Sequence, residues 1–269
     1  MFDPGLKNGD EINNQELCNI FKCGPQGGMR KSNTTQTLTI VSNHIKSVYD
    51  DRWIDEVFHY TGMGMKGDQS LEFMQNKTLA QSDINGINVH LFEVFVSKIY
   101  TYMGSVILSN KPYTEIQPDE NGNNRNVWMF PLKLTINETL AVPLKKIIDL
   151  SEKKIRKAKR LSDKELKKRA ENSSKKIGSR KVVSTQFERS VWVAENAKRK
   201  AKGICQLCNQ PAPFVNLNKE PYLETHHIEW LSKGGEDSIE NTVALCPNCH
   251  RKVHVLDLAS DRKKLKQKA

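Results

Sequence analysis

The chain has 269 residues, enough for two modest domains, with 37% hydrophobic and 27% charged residues. No run of about 18 apolar residues is present, which excludes a membrane-spanning helix. The polar start "MFDPGLKNGDE" lacks the segments of a secretory signal, so we expect a cytoplasmic protein that does not contact a membrane.

The net charge of +11 is unevenly distributed, because residues 1–150 carry 14 Lys and Arg against 17 Asp and Glu, whereas residues 151–269 carry 28 Lys and Arg against 14 Asp and Glu. Such asymmetry is typical of nucleic-acid binding, although a well-solvated basic helix has the same composition.

The front half has the pattern of a β-rich domain. Alternating apolar and polar residues predict strands, separated by turn-rich pieces such as "PDENGNNRN". The predicted strands are "TLTIVSN" at 37–43, "INVHLFEVFV", "YTYMGSVILS" and "VWMFPLKLTI". The glycine-rich stretch "GPQGGMRKSNTT" before them predicts a flexible loop.

Residues 144–176 change to a lysine-rich helical pattern that predicts a basic linker, with a break near "NSSKKIGS". The lysines of residues 152–170 either follow DNA phosphates or only keep the helix solvated. A second helix is predicted from Gln186 to Lys202, where Gly203 would end it.

Four of the six cysteines form two CxxC pairs, which are Cys205 with Cys208 and Cys246 with Cys249. Two such turns can supply the four thiolates of a tetrahedral Zn²⁺ site. A closed four-cysteine site leaves no open position, so we expect a structural zinc that links the two ends of a small domain. Two unrelated buried thiol pairs are the alternative. Cys18 and Cys23 lie far from these pairs and are expected to be free thiols.

The segment between and after the pairs predicts a strand, a loop, a strand and a helix. His250 and His254 are four apart on that helix and share a face. His226 and His227 are adjacent on a strand and point to opposite sides, so one can join the helical pair as a metal ligand while the other acts as a base. The carbonyl oxygen of Asn241 could hold the N–H of the basic imidazole. These parts suit metal-assisted phosphodiester hydrolysis.

This segment, about residues 200–260, resembles the HNH or ββα-metal endonuclease family in its zinc-clamped McrA-type variant. The resemblance implies that DNA is hydrolysed at one divalent metal, leaving a 5′-phosphate, with His227 as general base. The catalytic set it implies is His227, Asn241 and His250. The metal, which could be Mg²⁺, Mn²⁺, Ni²⁺ or Zn²⁺, would have the ligands His226, His250 and His254. A zinc-ribbon binding module with incidental imidazoles is the alternative.

Residues 30–140 resemble the SRA (SET- and RING-associated) domain, a PUA-like curved β-barrel that flips a modified cytosine into a pocket. The matching pieces are "YTG", "GDQSL" and the pattern Y-x-Y-x-G. The resemblance implies that Tyr60 stacks on the base and that a carboxylate, Asp51 or Asp50, accepts from the base's amino group. The implied pocket residues are Tyr49, Asp51, Tyr60, Thr61 and Gly62. Ordinary barrel packing of Tyr49 and Tyr60 is the alternative.

We therefore predict an α+β protein with an SRA-like recognition domain at 1–143, a basic helical linker at 144–185 and an HNH endonuclease domain at 186–269. The expected function is that of a modification-dependent, type IV-like restriction endonuclease in phage defence, acting on double-stranded DNA with a modified cytosine. One active site cuts one strand, so a homodimer is predicted. Two alternatives stay open: a non-catalytic zinc-fold DNA-binding or regulatory protein, and an HNH nuclease without modified-base specificity.

Overall fold

This computed structural model describes residues 2–45, 49–119, 121–136, 140–173 and 177–269. The chain divides into two compact units, Met1–Ser184 and Thr185–Ala269. Both units combine helices and strands, which confirms the predicted α+β class. The predicted three-part division into 1–143, 144–185 and 186–269 stays a prediction. In the described ranges no helix is both long and apolar enough to cross a membrane.

The first unit is built on a nine-stranded sheet. Its strands are β1 (Glu11–Ile12), β2 (Met29–Ser32), β3 (Thr37–Asn43), β4 (Arg52–Ile54), β5 (Val57–Thr61), β6 (Asn88–Val96), β7 (Ile99–Leu108), β8 (Tyr113–Pro118) and β9 (Asn124–Leu134). The order is β2-β3-β6-β7-β9-β5-β4, with β1 beside β7 and β8 beside β9. Only the β3–β6 pair among these described strands is parallel. Register shifts between β6 and β7 mark bulges, which bend a sheet.

The central strand β6 is buried on both faces. Val89 and Leu91 lie in the main core, whereas Phe92 and Val94 lie in a second cluster under helix α1 (Asn14–Phe21). The predicted strands are confirmed in β3, β6, β7 and β9. Helix α1 was not predicted from the sequence, although its capping box, in which Asn13 and Glu16 bond each other's backbone, is a recognisable signal.

The glycine-rich stretch 24–35 was predicted to be a flexible loop, and this is wrong for four of its residues. Strand β2 lies within it and pairs antiparallel with β3, Met29 opposite Ile40. Met29 is buried in the main core, and Arg30 and Ser32 are buried as well. Pairing with a central strand therefore overrides the local loop signal.

Helix α2 (Gln75–Ala80) precedes strand β6 in the first unit. The stretch predicted as a linker, residues 144–185, contains helices α3 (Leu144–Ala158) and α4 (Asp163–Glu171). Leu150 of α3 is buried against Phe95 and Val142, and Lys168 of α4 donates to the Asn123 side chain at 2.8 Å. The short strands β10 (Val142–Pro143) and β11 (Val182–Val183) pair with each other. The lysine-rich helices thus pack on the first unit, and residues 174–176 lie outside the described residues.

The second unit has the predicted order of strand, loop, strand and helix. Its elements are α5 (Val191–Ala201), β12 (Glu224–His227), a 3₁₀ turn (Leu231–Lys233), β13 (Thr242–Leu245), α6 (Pro247–Leu256) and α7 (Ala259–Lys266). Helix α5 begins five residues later than predicted, because Ser190 caps it by accepting from the Val193 N–H. Its predicted end is confirmed, since Lys202 and Gly203 both have positive φ.

Candidate metal centres and catalytic site

The two CxxC pairs come together in the second unit. Their four Sγ atoms all lie within 4.8 Å of one another, and Cys208 Sγ is 4.0 Å from Cys246 Sγ. Zinc–sulfur bonds of about 2.3 Å in a tetrahedron place sulfurs about 3.8 Å apart, so the donor set fits Zn²⁺. Cys205 and Cys246 also belong to the hydrophobic core of this unit.

The local backbone favours a thiolate at Cys205. Burial raises the pKa of this thiol, but the N–H groups of Cys208, Cys246 and Leu207 outweigh burial and lower it to about 7. Burial and the neighbouring sulfurs raise the pKa of Cys249 well above its usual range. Four thiols this close cannot all ionise without a cation between them, which is the chemistry of a structural zinc site.

Three of the four predicted histidines form a second cluster. Helix α6 starts at Pro247 and carries His250 and His254 one turn apart, and β12 places His226 against both. His250 Nε2 lies 3.1 Å from His254 Nε2, and the His226 ring centroid is 5.4 Å from that of His250 and 4.9 Å from that of His254. Three imidazoles that converge in this way, with room for further ligands, match an open catalytic metal site.

The cluster fits a divalent cation by its donor chemistry. Burial, followed by the other two imidazoles, lowers the pKa of His226 to about 3, so its ring is neutral and has a free lone pair. His226 Nδ1 is buried and has no hydrogen-bond partner among the described residues. Glu224 Oε2 lies 2.5 Å from His250 Nδ1, which directs Nε2 of that ring to the cluster.

His227 does not belong to the metal cluster, as strand alternation predicts. Its side chain is 7% exposed, and its Nε2 lies 2.8 Å from Asp237 Oδ1. Its other nitrogen, Nδ1, has no hydrogen bond within the described ranges, and the ring still lines the same cavity as the cluster. The geometry leaves His227 Nδ1 without a hydrogen bond beside the three-histidine cluster, as a general base would require.

Asn241 is placed differently from the prediction. Its Oδ1 accepts from the Glu229 N–H at 2.8 Å, and its Nδ2 donates to the carbonyls of Glu229 and Glu236. The expected contact with the His227 imidazole is wrong, since the group at that imidazole is Asp237. Asn241 instead closes the loop between β12 and β13 that carries Asp237.

A cavity of about 190 Å³ joins the base to the metal cluster. Its walls are formed by Phe187, Arg189, Thr225, His226, His227, Trp230, Leu231, Ser232, His250 and His254. Arg189 contributes to lowering the pKa of both His226 and His254, so its positive charge lies within electrostatic reach of the cluster. A cation, a base and a three-histidine cluster therefore face one cavity.

In the first unit, two of the predicted pocket residues are in contact. Asp51 Oδ1 accepts from the Thr61 N–H at 2.8 Å, and Oδ2 accepts from the Ser42 hydroxyl at 2.8 Å. Burial raises the pKa of Asp51 even though these hydrogen bonds lower it. Asp50 instead pairs with Arg52 and is 48% exposed. Of the two candidate carboxylates, Asp51 is the one beside the "YTG" segment.

The other predicted pocket residues are less accessible. Tyr60 is 4% exposed in the main core, where its hydroxyl donates to the Gly28 carbonyl at 2.8 Å, so its ring has no free face for stacking in this conformation. Tyr49 is half-buried and donates to the Gly64 carbonyl at 3.1 Å. A Cβ at Gly62 would lie 2.9 Å from Asn76 Oδ1, so this glycine is required by close packing. The pocket role of all five residues stays a proposal.

Comparison with known families identifies both units. The family model for the ScoMcrA-like SRA domain matches residues 8–142, half of the chain. The chain belongs to the ScoMcrA-like SRA domain family. A model for HNH endonuclease matches residues 205–255, which include both CxxC pairs and the histidine cluster. The predicted SRA-like domain and McrA-type HNH domain are therefore confirmed.

Individual proteins are similar to all or part of this chain. The type IV methyl-directed restriction enzyme EcoKMcrA of Escherichia coli strain K12 is 45% identical over 82 residues, which are 29% of this chain and 30% of that protein. Similar solved structures include the type IV phosphorothioation-dependent restriction endonuclease ScoMcrA, at 18% identity and a TM-score of 0.41, over 98% of this chain and 63% of that chain. The modification-dependent TagI restriction endonuclease has 22% identity and a TM-score of 0.38, over 93% of this chain and 78% of that chain. The chain thus covers less than two thirds of EcoKMcrA and of ScoMcrA.

Three side chains of the site were not predicted from the sequence: Arg189, which lines the cavity, and Glu224 and Asp237, which contact His250 and His227. Glu224 is two residues before His226, and strand alternation puts both on one face, so a signal for it exists. Asp237 and Arg189 lie outside regular elements. No periodicity relates them to the histidines, and only the folded loop and the segment before α5 bring them to the cavity.

Proposed function

We propose that this protein is a modification-dependent DNA endonuclease, in which the SRA domain binds a modified base and the HNH domain hydrolyses a phosphodiester bond. One observation carries the proposal: His227, whose Nδ1 has no hydrogen bond within the described ranges, lines the same cavity as His226, His250 and His254. A base beside an open metal site is what hydrolysis by water requires.

In the proposed reaction, His226, His250 and His254 would hold a divalent metal, which would supply Lewis-acid stabilisation of the negative charge that develops during hydrolysis. His227 Nδ1 takes a proton from a water molecule while the water oxygen bonds to phosphorus. The P–O3′ bond breaks, and O3′ leaves as a hydroxyl after it gains a proton from solvent. The products have a 5′-phosphate and a 3′-hydroxyl.

Arg189 is the proposed phosphate-binding residue of this site. Arg189 lines the cavity, and it forms no ion pair with another of the described residues. Guanidinium groups bind phosphate oxygens through paired N–H donors. In this role Arg189 would hold a non-bridging oxygen of the scissile phosphate and so orient phosphorus toward the water beside His227.

In the SRA domain, the proposed ligand is a modified cytosine flipped out of the duplex. Asp51, held by the Thr61 N–H, is the proposed acceptor for the amino group of the base. Tyr49 and Tyr60 are the proposed aromatic walls, and Tyr60 would have to leave the packing that covers its ring. The exposed lysines of α3 and α4 are a proposed surface for the DNA backbone.

Cleavage of matched duplexes tests the proposal. The purified protein, with Mg²⁺ or Mn²⁺, is incubated with DNAs that contain plain, methylated, hydroxymethylated or glucosylated cytosine. The roles of both domains are supported if the protein cuts only a modified duplex and if His227→Ala still binds that duplex but does not cut it. Equal cutting of all four removes the sensing role, and binding without cutting in any condition favours a non-catalytic DNA-binding protein.

A homodimer is part of the proposal, because one HNH site hydrolyses one strand. Sedimentation of the protein with and without a modified duplex measures the stoichiometry. A monomer that makes double-strand breaks in a single binding event would contradict it.

A further inference from the structure

Asp237 holds two groups at once at the edge of the HNH cavity. Its Oδ1 lies 2.8 Å from His227 Nε2, and its Oδ2 accepts from the backbone N–H of Ser190 at 2.6 Å. Ser190 is the residue that caps helix α5, and it directly follows Arg189 on the cavity wall. The carboxylate therefore joins the proposed base to the segment that carries the proposed phosphate-binding residue.

The ionised carboxylate of Asp237 determines which nitrogen of His227 carries the hydrogen. A carboxylate at neutral pH has only acceptors to offer, so the hydrogen between Asp237 and His227 must be on Nε2 of the imidazole. A neutral imidazole carries one hydrogen, so Nδ1 has the lone pair. That nitrogen has no hydrogen bond within the described ranges and is the only one of the two that can accept a proton from water.

The loop that carries Asp237 is itself held in place. Asn241 bonds the backbone of Glu229 and Glu236 on either side of the loop, and Thr242 donates to the Ser238 carbonyl at 2.8 Å. Asp237 is 25% exposed, which leaves it reachable but anchored at both oxygens. A partly buried carboxylate whose two oxygens each have a partner differs from an ordinary surface ion pair.

We propose that Asp237 is a positioning residue that sets the tautomer of His227, so that Nδ1 faces the cavity as the proton acceptor. The inference rests on the proposed hydrolysis at this site. It assigns to a loop carboxylate the task that the sequence suggested for Asn241, and it gives Asn241 an indirect role through the loop.

Asp237→Asn is the decisive variant, because the Ser190 N–H dictates how the amide must sit. That N–H needs an acceptor, so the amide oxygen stays on Ser190 and the amide NH₂ turns to His227 Nε2. Nε2 must then accept, which moves the imidazole hydrogen to Nδ1. The variant keeps the anchor of the loop and reverses the tautomer. Asp237→Ala removes both contacts, and Glu236→Gln is the matched control in the same loop.

The tautomer is measured by ¹⁵N NMR of histidine-labelled, zinc-replete full chain at about pH 8, where an ordinary imidazole is neutral. The His227 signals are assigned by their loss in His227→Gln. We expect hydrogen on Nε2 in the wild type and in Glu236→Gln, and on Nδ1 in Asp237→Asn. We also expect kcat for a modified duplex to fall about 100-fold in Asp237→Asn, with KM changed by less than about threefold.

Two results would overturn the proposal. One is hydrogen on Nδ1 in the wild type. The other is wild-type kcat in Asp237→Asn together with loss of activity only in Asp237→Ala, which would give Asp237 a structural role alone. Failure of the proposed function is distinguishable, because a wild-type chain that cuts no DNA but carries the Nε2 hydrogen would remove hydrolysis while the tautomer assignment stands.

Discussion

Glu224 Oε2 and His250 Nδ1 lie 2.5 Å apart, and this contact connects the first residue of β12 to the first histidine of α6. It leaves only Nε2 of His250 to face His226 and His254. Carboxylates in this position orient a ligating imidazole and raise its basicity. The three-histidine cluster therefore depends on a residue that does not itself point into the cluster.

Glu224→Ala is expected to weaken divalent metal binding at the histidine cluster by about 10- to 100-fold, because His250 loses the partner that fixes its ring. The measurement is calorimetric titration of zinc-replete protein with Mn²⁺. Glu220→Gln is the control, since Glu220 is exposed and bonds Asn216. Unchanged Mn²⁺ affinity in Glu224→Ala would show that the helix alone orients His250.

Removal of zinc is expected to unfold the second unit and leave the first folded. Cys205 and Cys246 lie in the core of the second unit, and structural zinc contributes about 10 kcal/mol or more to such small domains. Calorimetry with and without a strong chelator should show one transition disappear. Cys208→Ser should behave like the chelated protein, and Cys18→Ser, outside the cluster, like the wild type. Two intact transitions after full zinc loss would contradict the expectation.

Arg189→Ala is expected to lower kcat for a modified duplex by about 10- to 100-fold, since the scissile phosphate loses its cation in the cavity. Arg199→Ala is the matched control, because Arg199 is exposed on α5 and pairs with Glu195. Single-turnover cleavage at saturating protein separates this effect from weaker binding. Equal losses in both variants would mean that only general positive charge matters.

Asp51→Asn is expected to abolish the preference for modified DNA while the domain stays folded. The amide oxygen can still accept from the Thr61 N–H, and the Ser42 hydroxyl can accept from the amide NH₂, so both contacts survive. What is lost is the free acceptor for the amino group of a base. Binding of modified and plain duplexes is compared, with Asp50→Asn as control. A preference retained in Asp51→Asn and lost in Asp50→Asn would reverse the assignment of the two carboxylates.

Arg180→Ala is expected to destabilise the first unit by about 3 kcal/mol, because the buried carboxylate of Glu93 loses its guanidinium partner and keeps only His44 and Trp53. Arg180 Nη1 donates to Glu93 Oε2 at 2.9 Å, and Glu93 is fully buried. Lys181→Ala is the neighbouring control, since its ion pair with Glu56 is exposed on both sides and is worth under about 1 kcal/mol. Urea unfolding of both variants gives the comparison, and equal small losses would contradict it.

The stability that the Arg180–Glu93 ion pair gives to the first unit is expected to depend on pH. Burial raises the pKa of Glu93, but Arg180 and His44 outweigh burial and lower it to about 2. A carboxylate with a lowered folded-state pKa stabilises the fold above its ordinary value near 4.5, and this contribution is lost as the pH falls from there to about 2. The first unit should therefore unfold at a higher pH in Arg180→Ala than in the wild type, as followed by circular dichroism.

The chemistry of the HNH domain was largely predictable from local sequence. CxxC spacing, the four-residue step from His250 to His254 and the alternation of His226 and His227 are all short-range patterns that helix and strand geometry translate directly into position. The four-cysteine and three-histidine clusters of the structure follow them. In the first unit, alternation predicted the central strands for the same reason, but it missed α1 and β2, whose burial depends on distant partners.

What the sequence determined by itself is therefore the donor set: which thiols and imidazoles can converge, because each pair is held by one turn, strand or helix. Only the tertiary structure decided their surroundings. Asp237 reaches His227, Glu224 reaches His250, and Tyr60 turns into the core, through loops and sheet packing that join residues with no common period. The physical reason is that hydrogen-bond geometry is set within tenths of an ångström by contacts between segments, and no local pattern carries that information.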